Sequence, residues 1–391
     1  LSVVTTAEYW SLFGQMIILA MIQVGGLGFM SMAVLFSMIV KRAITPRENL
    51  IIAESFSLFN REETAKGFVK KILVWTFVFE FTGALLLATR FIPRFGWVDG
   101  IYKSVFHSVS AFCNAGIDLL GPHYGEYSSF VPFCDNIMIN VVLMMLIILG
   151  GIGFFVWDDL KAKKFHVKKY ALHTKMTLYM TFLLVIGGTV LFLIFENDNL
   201  LKEMNTADKI LAAMFSSVTA RTAGFNTIDT AGLTNASTLL TIVFMFIGGS
   251  PGSTAGGIKT VTALVLLSYV WSNLRASKGV NIFNRRLDDD VIRKASNVVV
   301  ISMLLAVTSW ILICFIQPEL SVIDVMFEIF SAIGTVGMST GLTRELSVGS
   351  RIVIILLMYC GRIGSMSFAL SFTERKKVAP VQLPTEKIMI G

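Results

Sequence analysis

Three interruptions of the same kind limit what this chain can fold into. At residues 100–112, 208–221 and 323–333 lie amphipathic runs too short to span a bilayer. Each leads into a glycine-containing tripeptide: Asn114-Ala115-Gly116, Thr222-Ala223-Gly224 and Thr335-Val336-Gly337. All three sit between long apolar segments. Lipid satisfies no amide or carbonyl, so irregular backbone at membrane depth survives only where protein buries it or where it lines a watery cavity. Each unit therefore reads as helix, half-helix with a return loop, helix.

The flanking apolar segments fall at residues 9–40, 72–89, 136–157, 176–195, 239–271, 298–316 and 351–372. Each is near or above the ~20 residues a membrane helix needs. The chain is 54% hydrophobic and 15% charged, with a mean hydropathy of +0.72; a soluble domain carries about 25% charged residues. A disordered chain, a disulfide scaffold and almost every soluble enzyme are excluded. Long apolar runs, in place of short alternating ones, argue against a strand barrel. The expected fold class is an all-α polytopic membrane protein.

The net charge of +7 does not point to nucleic acid. Of 33 basic residues, 23 fall in four clusters, at 41–71, 161–175, 275–294 and from Arg375 onward, each after the end of a long apolar segment. This is the positive-inside pattern of cytoplasmic loops in a cell-membrane protein in contact with lipid. Cys113, Cys134, Cys314 and Cys360 lack metal-ligand spacing and read as reduced or inert. With no HExxH pair, no paired intramembrane Asp and no Ser/His dyad, enzymatic activity is not expected.

The repeat extends into the second helix of each unit, which carries a Gly-rich break: Gly150-Gly151-Ile152-Gly153, Gly248-Gly249-Ser250-Pro251-Gly252 and Gly361-Arg362-Ile363-Gly364. From loop glycine to break the distances are 34, 24 and 24 residues, the longer one containing an outer insertion near 121–130. An earlier break, Gly25-Gly26-Leu27-Gly28, lacks a loop glycine before it; Leu1-Ser2 matches Met338-Ser339. We therefore expect four units with the first one truncated. Residues 1–66 hold its second helix and a linker, 67–170 the second unit, 171–287 the third with a broken second helix, and 288–391 the fourth with a C-terminal tail.

Four such units in pseudo-fourfold symmetry around a central axis describe a cation pore. Half-helices with C-terminal ends inward place partial negative charge at the centre, and the carbonyls that follow can replace an ion's hydration shell. Simple turns between helices are the alternative. Taken together, Phe112-Cys113-Asn114-Ala115-Gly116, the run from Ser216 to Thr227, the 248–260 break and Gly361-Arg362-Ile363-Gly364 resemble the Trk/Ktr/HKT superfamily of potassium transporters. The similarity is strongest to the membrane subunit of the Ktr system. Asn114 stands where the other visible units have Thr.

The resemblance implies potassium uptake across the cell membrane of a bacterium. Its selectivity filter would be the backbone of Cys113-Asn114-Ala115-Gly116, Arg221-Thr222-Ala223-Gly224 and Gly334-Thr335-Val336-Gly337, where K+ binds. It also implies a gate beneath the filter, built from Gly248-Gly249-Ser250-Pro251-Gly252-Ser253-Thr254-Ala255-Gly256-Gly257 with Lys259, and from Arg362 as an electrostatic barrier. A homodimer on a KtrA-like cytosolic nucleotide-binding ring follows from the same likeness. Sodium is a candidate activator, no cofactor is covalently bound, and nucleotide belongs to the partner only.

Other readings stay open at this stage. A secondary cation transporter with ionisable coupling groups at the midplane is the competing function. The 248–259 run resembles a phosphate loop in the spacing of Gly252 and Gly257, but Ile258 intervenes before Lys259; simple packing of its small residues is another reading. Arg362 has Glu80 as a candidate salt-bridge partner, and Asp118 is placed to concentrate cations at an outer mouth. Glu62-Glu63, Asp158-Asp159 and Asp288–Asp290 read as solvated charge runs.

Overall fold

The structure is a computed structural model describing residues 1–28, 65–164, 166–277 and 279–364. Helices α1 (Thr6–Tyr9) and α2 (Leu12–Leu27) come first. Three groups follow. The first contains α3 (Ala65–Phe95), α4 (Trp97–Phe112), the short α5 (Gly121–Tyr124), α6 (Ile137–Gly151) and α7 (Phe154–Lys163). The second contains α8 (Leu172–Glu196), α9 (Thr206–Thr219), α10 (Asn235–Phe246) and α11 (Thr260–Leu274). The third contains α12 (Asp289–Ile316), α13 (Val322–Gly334) and α14 (Val348–Ile363). A small antiparallel hairpin, Asn281–Ile282 (β1) with Arg285–Arg286 (β2), separates the last two groups.

Among the described residues, three helices are long and apolar enough to cross a bilayer alone: Gly67–Phe95, Leu172–Glu196 and Asp289–Ile316. The seven full-length spans read from the sequence are thus not seven continuous helices. The 136–157 segment bends by 95° between α6 and α7, and the 239–271 segment divides into α10 and α11. The segments 9–40 and 351–372 run on past Gly28 and Gly364 outside the described residues, as do Glu62-Glu63 and the tail from Arg375.

Three of the breaks share one backbone conformation, essentially restricted to glycine: Gly28 (φ 82°, ψ 149°) and Gly364 (95°, 127°) each follow the end of a helix, and Gly153 (95°, 144°) precedes the start of α7. The half-helices also share a plan. Asp99, Asp208 and Asp324 lie in the first turns of α4, α9 and α13, and none of these helices has a basic residue in its last turn. Acids complement the positive end of the dipole and leave the electronegative C-terminal ends for the protein centre.

Small residues let the half-helices pack close. A Cβ added at Gly83 of α3 would fall 2.6 Å from Ser108 Oγ of α4, and one at Gly188 of α8 would run into Ser217 Oγ of α9. The two hydroxyls instead donate to main-chain carbonyls, Ser108 to Glu80 at 2.6 Å and Ser217 to Leu184 at 3.0 Å. Phe77 and Phe81 of α3, Phe182 and Ile186 of α8, and Ile311 and Phe315 of α12 remain exposed on faces that lipid can cover. On the basic side, Asp158 pairs with Lys71 at 3.0 Å and Asp290 with Arg293 at 2.5 Å. Asp159 departs from the solvated reading: it is buried, accepting from Ala171 N at 2.9 Å and pairing with Lys163 at 2.6 Å.

Candidate cation pathway

The first and third half-helices end in a turn closed five residues back, and the second in one closed four residues back. Ala115 N donates to Ser110 O at 2.8 Å, Ala223 N to Thr219 O at 3.0 Å, and Val336 N to Ser331 O at 2.9 Å. The backbone then alternates in hand. Asn114 (φ 54°), Thr222 (79°) and Thr335 (53°) are left-handed, as are Gly116 (66°), Gly224 (84°) and Gly337 (92°), whereas Ala115, Ala223 and Val336 between them are not. Asn tolerates this region, but a β-branched residue there costs on the order of 1–3 kcal/mol, which its surroundings must impose.

Hydroxyl straps supply part of that constraint. Ser110 Oγ donates to Ile117 O at 2.8 Å, Thr219 Oγ1 to Phe225 O at 2.6 Å, and Ser331 Oγ to Met338 O at 2.6 Å. In each loop the residue after the glycine is tied back to its own half-helix.

The three loop glycines converge. A Cβ on Gly116 would lie 2.8 Å from Gly224 Cα and would strike Ala223 O; one on Gly224 would strike Val336 O; one on Gly337 would lie 3.9 Å from Gly224 Cα. Leu1 lies against the same cluster, its N donating to Gly337 O at 3.0 Å. The glycines open into a cavity of about 500 Å³ whose wall includes Asp118, Asp229 and Arg344. Asp118 Oδ1 also accepts from Leu120 N at 3.0 Å. At the opposite end of the tripeptides, Asn114 Oδ1 and Thr222 Oγ1 are buried with no hydrogen-bond partner among the described residues.

The residues one step earlier differ. Cys113 turns its thiol toward Glu80 Oε1 at 3.7 Å, Gly334 packs against Met245 O, and Arg221 is buried.

Beneath the tripeptides sits the loop between α10 and α11. Its neck is closed by Gly248 N to Ile258 O at 2.9 Å, Thr260 N to Gly249 O at 3.0 Å, and the Ser250 and Thr260 hydroxyls at 3.0 Å. Ser253 Oγ donates to Ser250 O at 2.6 Å. On the α6–α7 bend, Ser250 N donates to Gly151 O at 2.9 Å and Phe154 N donates to Gly252 O at 2.9 Å.

Thr254 is the meeting point of the groups. Its Oγ1 donates to Phe112 O at 3.0 Å and accepts from Asn114 Nδ2 at 2.8 Å, while its carbonyl accepts from Arg362 Nη1 at 2.7 Å. Arg362 Nη2 donates to Gly25 O at the end of α2. Gly256 lies against the Thr335 hydroxyl, and Lys259 Nζ donates to Ala255 O at 2.8 Å. The Glu80–Arg362 pairing weighed from the sequence is replaced: Glu80 Oε2 accepts from Gln23 Nε2 at 3.1 Å, and the partners of Arg362 are carbonyls.

The sequence reading missed the straps and the role of Thr254. The straps had a signal, a hydroxyl six or seven residues before the residue they hold. Thr254 had none, since its partners are distant in sequence.

Comparisons with known proteins give the family and the fold. The chain is 39% identical to the potassium/sodium uptake protein NtpJ of Enterococcus hirae, over all of this chain and 86% of that protein. It is 36% identical to the Ktr system potassium uptake protein B of Bacillus subtilis, over 100% and 86%, and 34% identical to that of Vibrio alginolyticus, over 100% and 85%. The fold matches the crystal structure of the potassium transporter TrkH from Vibrio parahaemolyticus with a TM-score of 0.70 at 18% identity, covering 92% of this chain and 73% of that one. The TrkH family, described as cation transport protein, matches residues 1–379. This is a helical membrane protein and not an enzyme, and the chain belongs to the TrkH family of cation transport proteins.

Proposed function

We propose that the protein takes up potassium across the cell membrane, coordinating the ion with the carbonyls of the three convergent loops. The observation that carries this reading is the meeting of Gly116, Gly224 and Gly337 at the floor of one cavity, with each tripeptide alternating in hand. Such alternation turns successive carbonyls to one side, and carbonyls ringed around an axis replace potassium's hydration shell. The unpartnered oxygens of Asn114 and Thr222 support it, since a buried oxygen without a protein donor suits an ion or its water. Pseudo-fourfold symmetry of the units belongs to the same reading.

The loop held at Thr254 is the gate in this proposal, with Arg362 both clamping it and opposing cations. At about 6 Å and an effective dielectric of about 40–80 in a watery pathway, the guanidinium repels a potassium ion by roughly 0.7–1.4 kcal/mol, about threefold to tenfold in occupancy. Relatives named as protein B of a Ktr system support a further subunit as partner, the family resemblance makes that partner a cytosolic nucleotide-binding ring under a homodimer, and the name of NtpJ supports a role for sodium. Rb⁺ uptake in a strain lacking its own potassium transporters tests the main reading: restored uptake supports it and no uptake by a membrane-inserted protein refutes it. Liposome flux with and without a sodium gradient tests the sodium role. Copurification from native membranes without any soluble ring subunit would count against the partner.

A further inference from the structure

Nine residues before its loop glycine, each half-helix carries a different buried side chain: His107, Phe215 and Glu328. In the first group His107 Nε2 accepts from Leu119 N at 3.1 Å, so Nδ1 carries the proton and donates to Lys103 O at 2.7 Å. In the second, Phe215 leaves the outgoing limb to others: Phe130 N donates to Asn226 O at 2.8 Å, and Ser129 Oγ accepts from Asn226 N at 3.0 Å. In the third, Glu328 Oε1 accepts from Ser339 Oγ and Oε2 from Thr343 Oγ1 at 2.8 Å, while Ser339 Oγ accepts from Gly341 N at 2.9 Å. One carboxylate, 1% exposed, thus grips the limb two and six residues past Gly337.

The third loop is gripped by a carboxylate where the first has an imidazole and the second a phenyl ring. A buried carboxylate is costly unless its oxygens are satisfied. Here both oxygens are satisfied by hydroxyls of the limb itself, so the charge and the limb hold each other.

We propose that Glu328 is the positioning residue that sets potassium-over-sodium discrimination in the third loop, by fixing the limb that leaves Gly337. This rests on the filter reading above. A loosened limb lets carbonyls close around the smaller ion, so discrimination falls before transport does.

The test is sodium competition against Rb⁺ flux in proteoliposomes for Glu328→Ala, Glu328→Gln, Thr343→Val and Gly337→Ser, with membrane protein amount and thermal midpoint measured in parallel. Glu328→Ala is expected to lose about tenfold in discrimination, about 1.4 kcal/mol. Glu328→Gln keeps one acceptor and should lose less, and Thr343→Val should shift the ratio in the same direction. If Glu328→Ala does not accumulate, Glu328→Gln and Thr343→Val decide. Wild-type discrimination in the surviving variants, with only amount or thermal midpoint reduced, overturns the proposal. If Gly337→Ser collapses discrimination while the Glu328 variants do not, this inference alone fails; if Gly337→Ser also changes nothing, the filter reading fails first.

Discussion

The loops of the first and third groups reach the same backbone by different means. Gly116 is fixed by contact, its missing side chain leaving room for Ala223 O, and Asn114 adopts its left-handed conformation readily while bonding to Thr254. In the third loop Thr335 is a β-branched residue in a disfavoured region, and hydrogen bonds from Ser331 and through Glu328 hold the chain. Both loops carry a hydroxyl strap; beyond it the first leans on His107, Thr254 and the backbone of the second loop, and the third on the carboxylate of Glu328.

Substituting the two glycines breaks this comparison most severely. Gly116→Ser meets a carbonyl that cannot move aside, so its potassium preference should collapse by about a hundredfold or more, as for a core clash above 2–3 kcal/mol. Gly337→Ser meets left-handed strain of about 1–2 kcal/mol, so it should lose about tenfold or more. Equal discrimination in both variants, read by sodium competition, would erase the distinction, and unchanged discrimination in both would refute the filter assignment.

Deleting Ser250–Gly256 removes the element on which both loops rest. Flux should rise by about tenfold or more if the segment is a plug, since displacing a barrier above about 1.4 kcal/mol gives that factor. Unchanged or lower Rb⁺ uptake by a folded protein would make it a packing element.

Arg362→Ala should raise flux by less, roughly threefold to tenfold, because it removes a charge and one of several hydrogen bonds to the loop. A flux equal to that of the deletion would mean that Arg362 alone holds the pathway shut.

Asn114→Thr makes the first loop resemble the third and should give the smallest change. It loses the bond to Thr254, worth about 0.5–1 kcal/mol, so basal flux should rise only about twofold to fivefold. A fall in flux would show that Asn114 serves the ion and not the loop below it.

The order of elements was legible because each rests on local signals. Short amphipathic runs before Gly116, Gly224 and Gly337 gave the half-helices, and Gly153 gave the bend. The left-handed Thr222 and Thr335 were hidden, because local preference argues against them and tertiary contacts impose them. Glu80 and Arg362 looked like a pair because both are charged at membrane depth, but nearby Gln23 and the carbonyls of Gly25 and Thr254 satisfy them instead. The partners of Thr254 lie over a hundred residues away, where a single sequence carries no distance information. Glu328 was within reach of the spacing argument, nine residues before a loop glycine already singled out.

The bond from Phe154 N to Gly252 O has a mechanical consequence. Phe154 is the first residue of α7 and stands next to Gly153, the natural fulcrum of the 95° bend. The ten-residue helix extends about 15 Å from that fulcrum, while the bond to the loop lies within about one or two residues of it. A push at Lys161 or Lys163 is therefore geared down roughly fivefold to tenfold in distance and up by the same factor in force. Were α7 to turn about Gly153 as one body, a wide movement at the basic surface would become a short one at the loop, with the force raised in proportion.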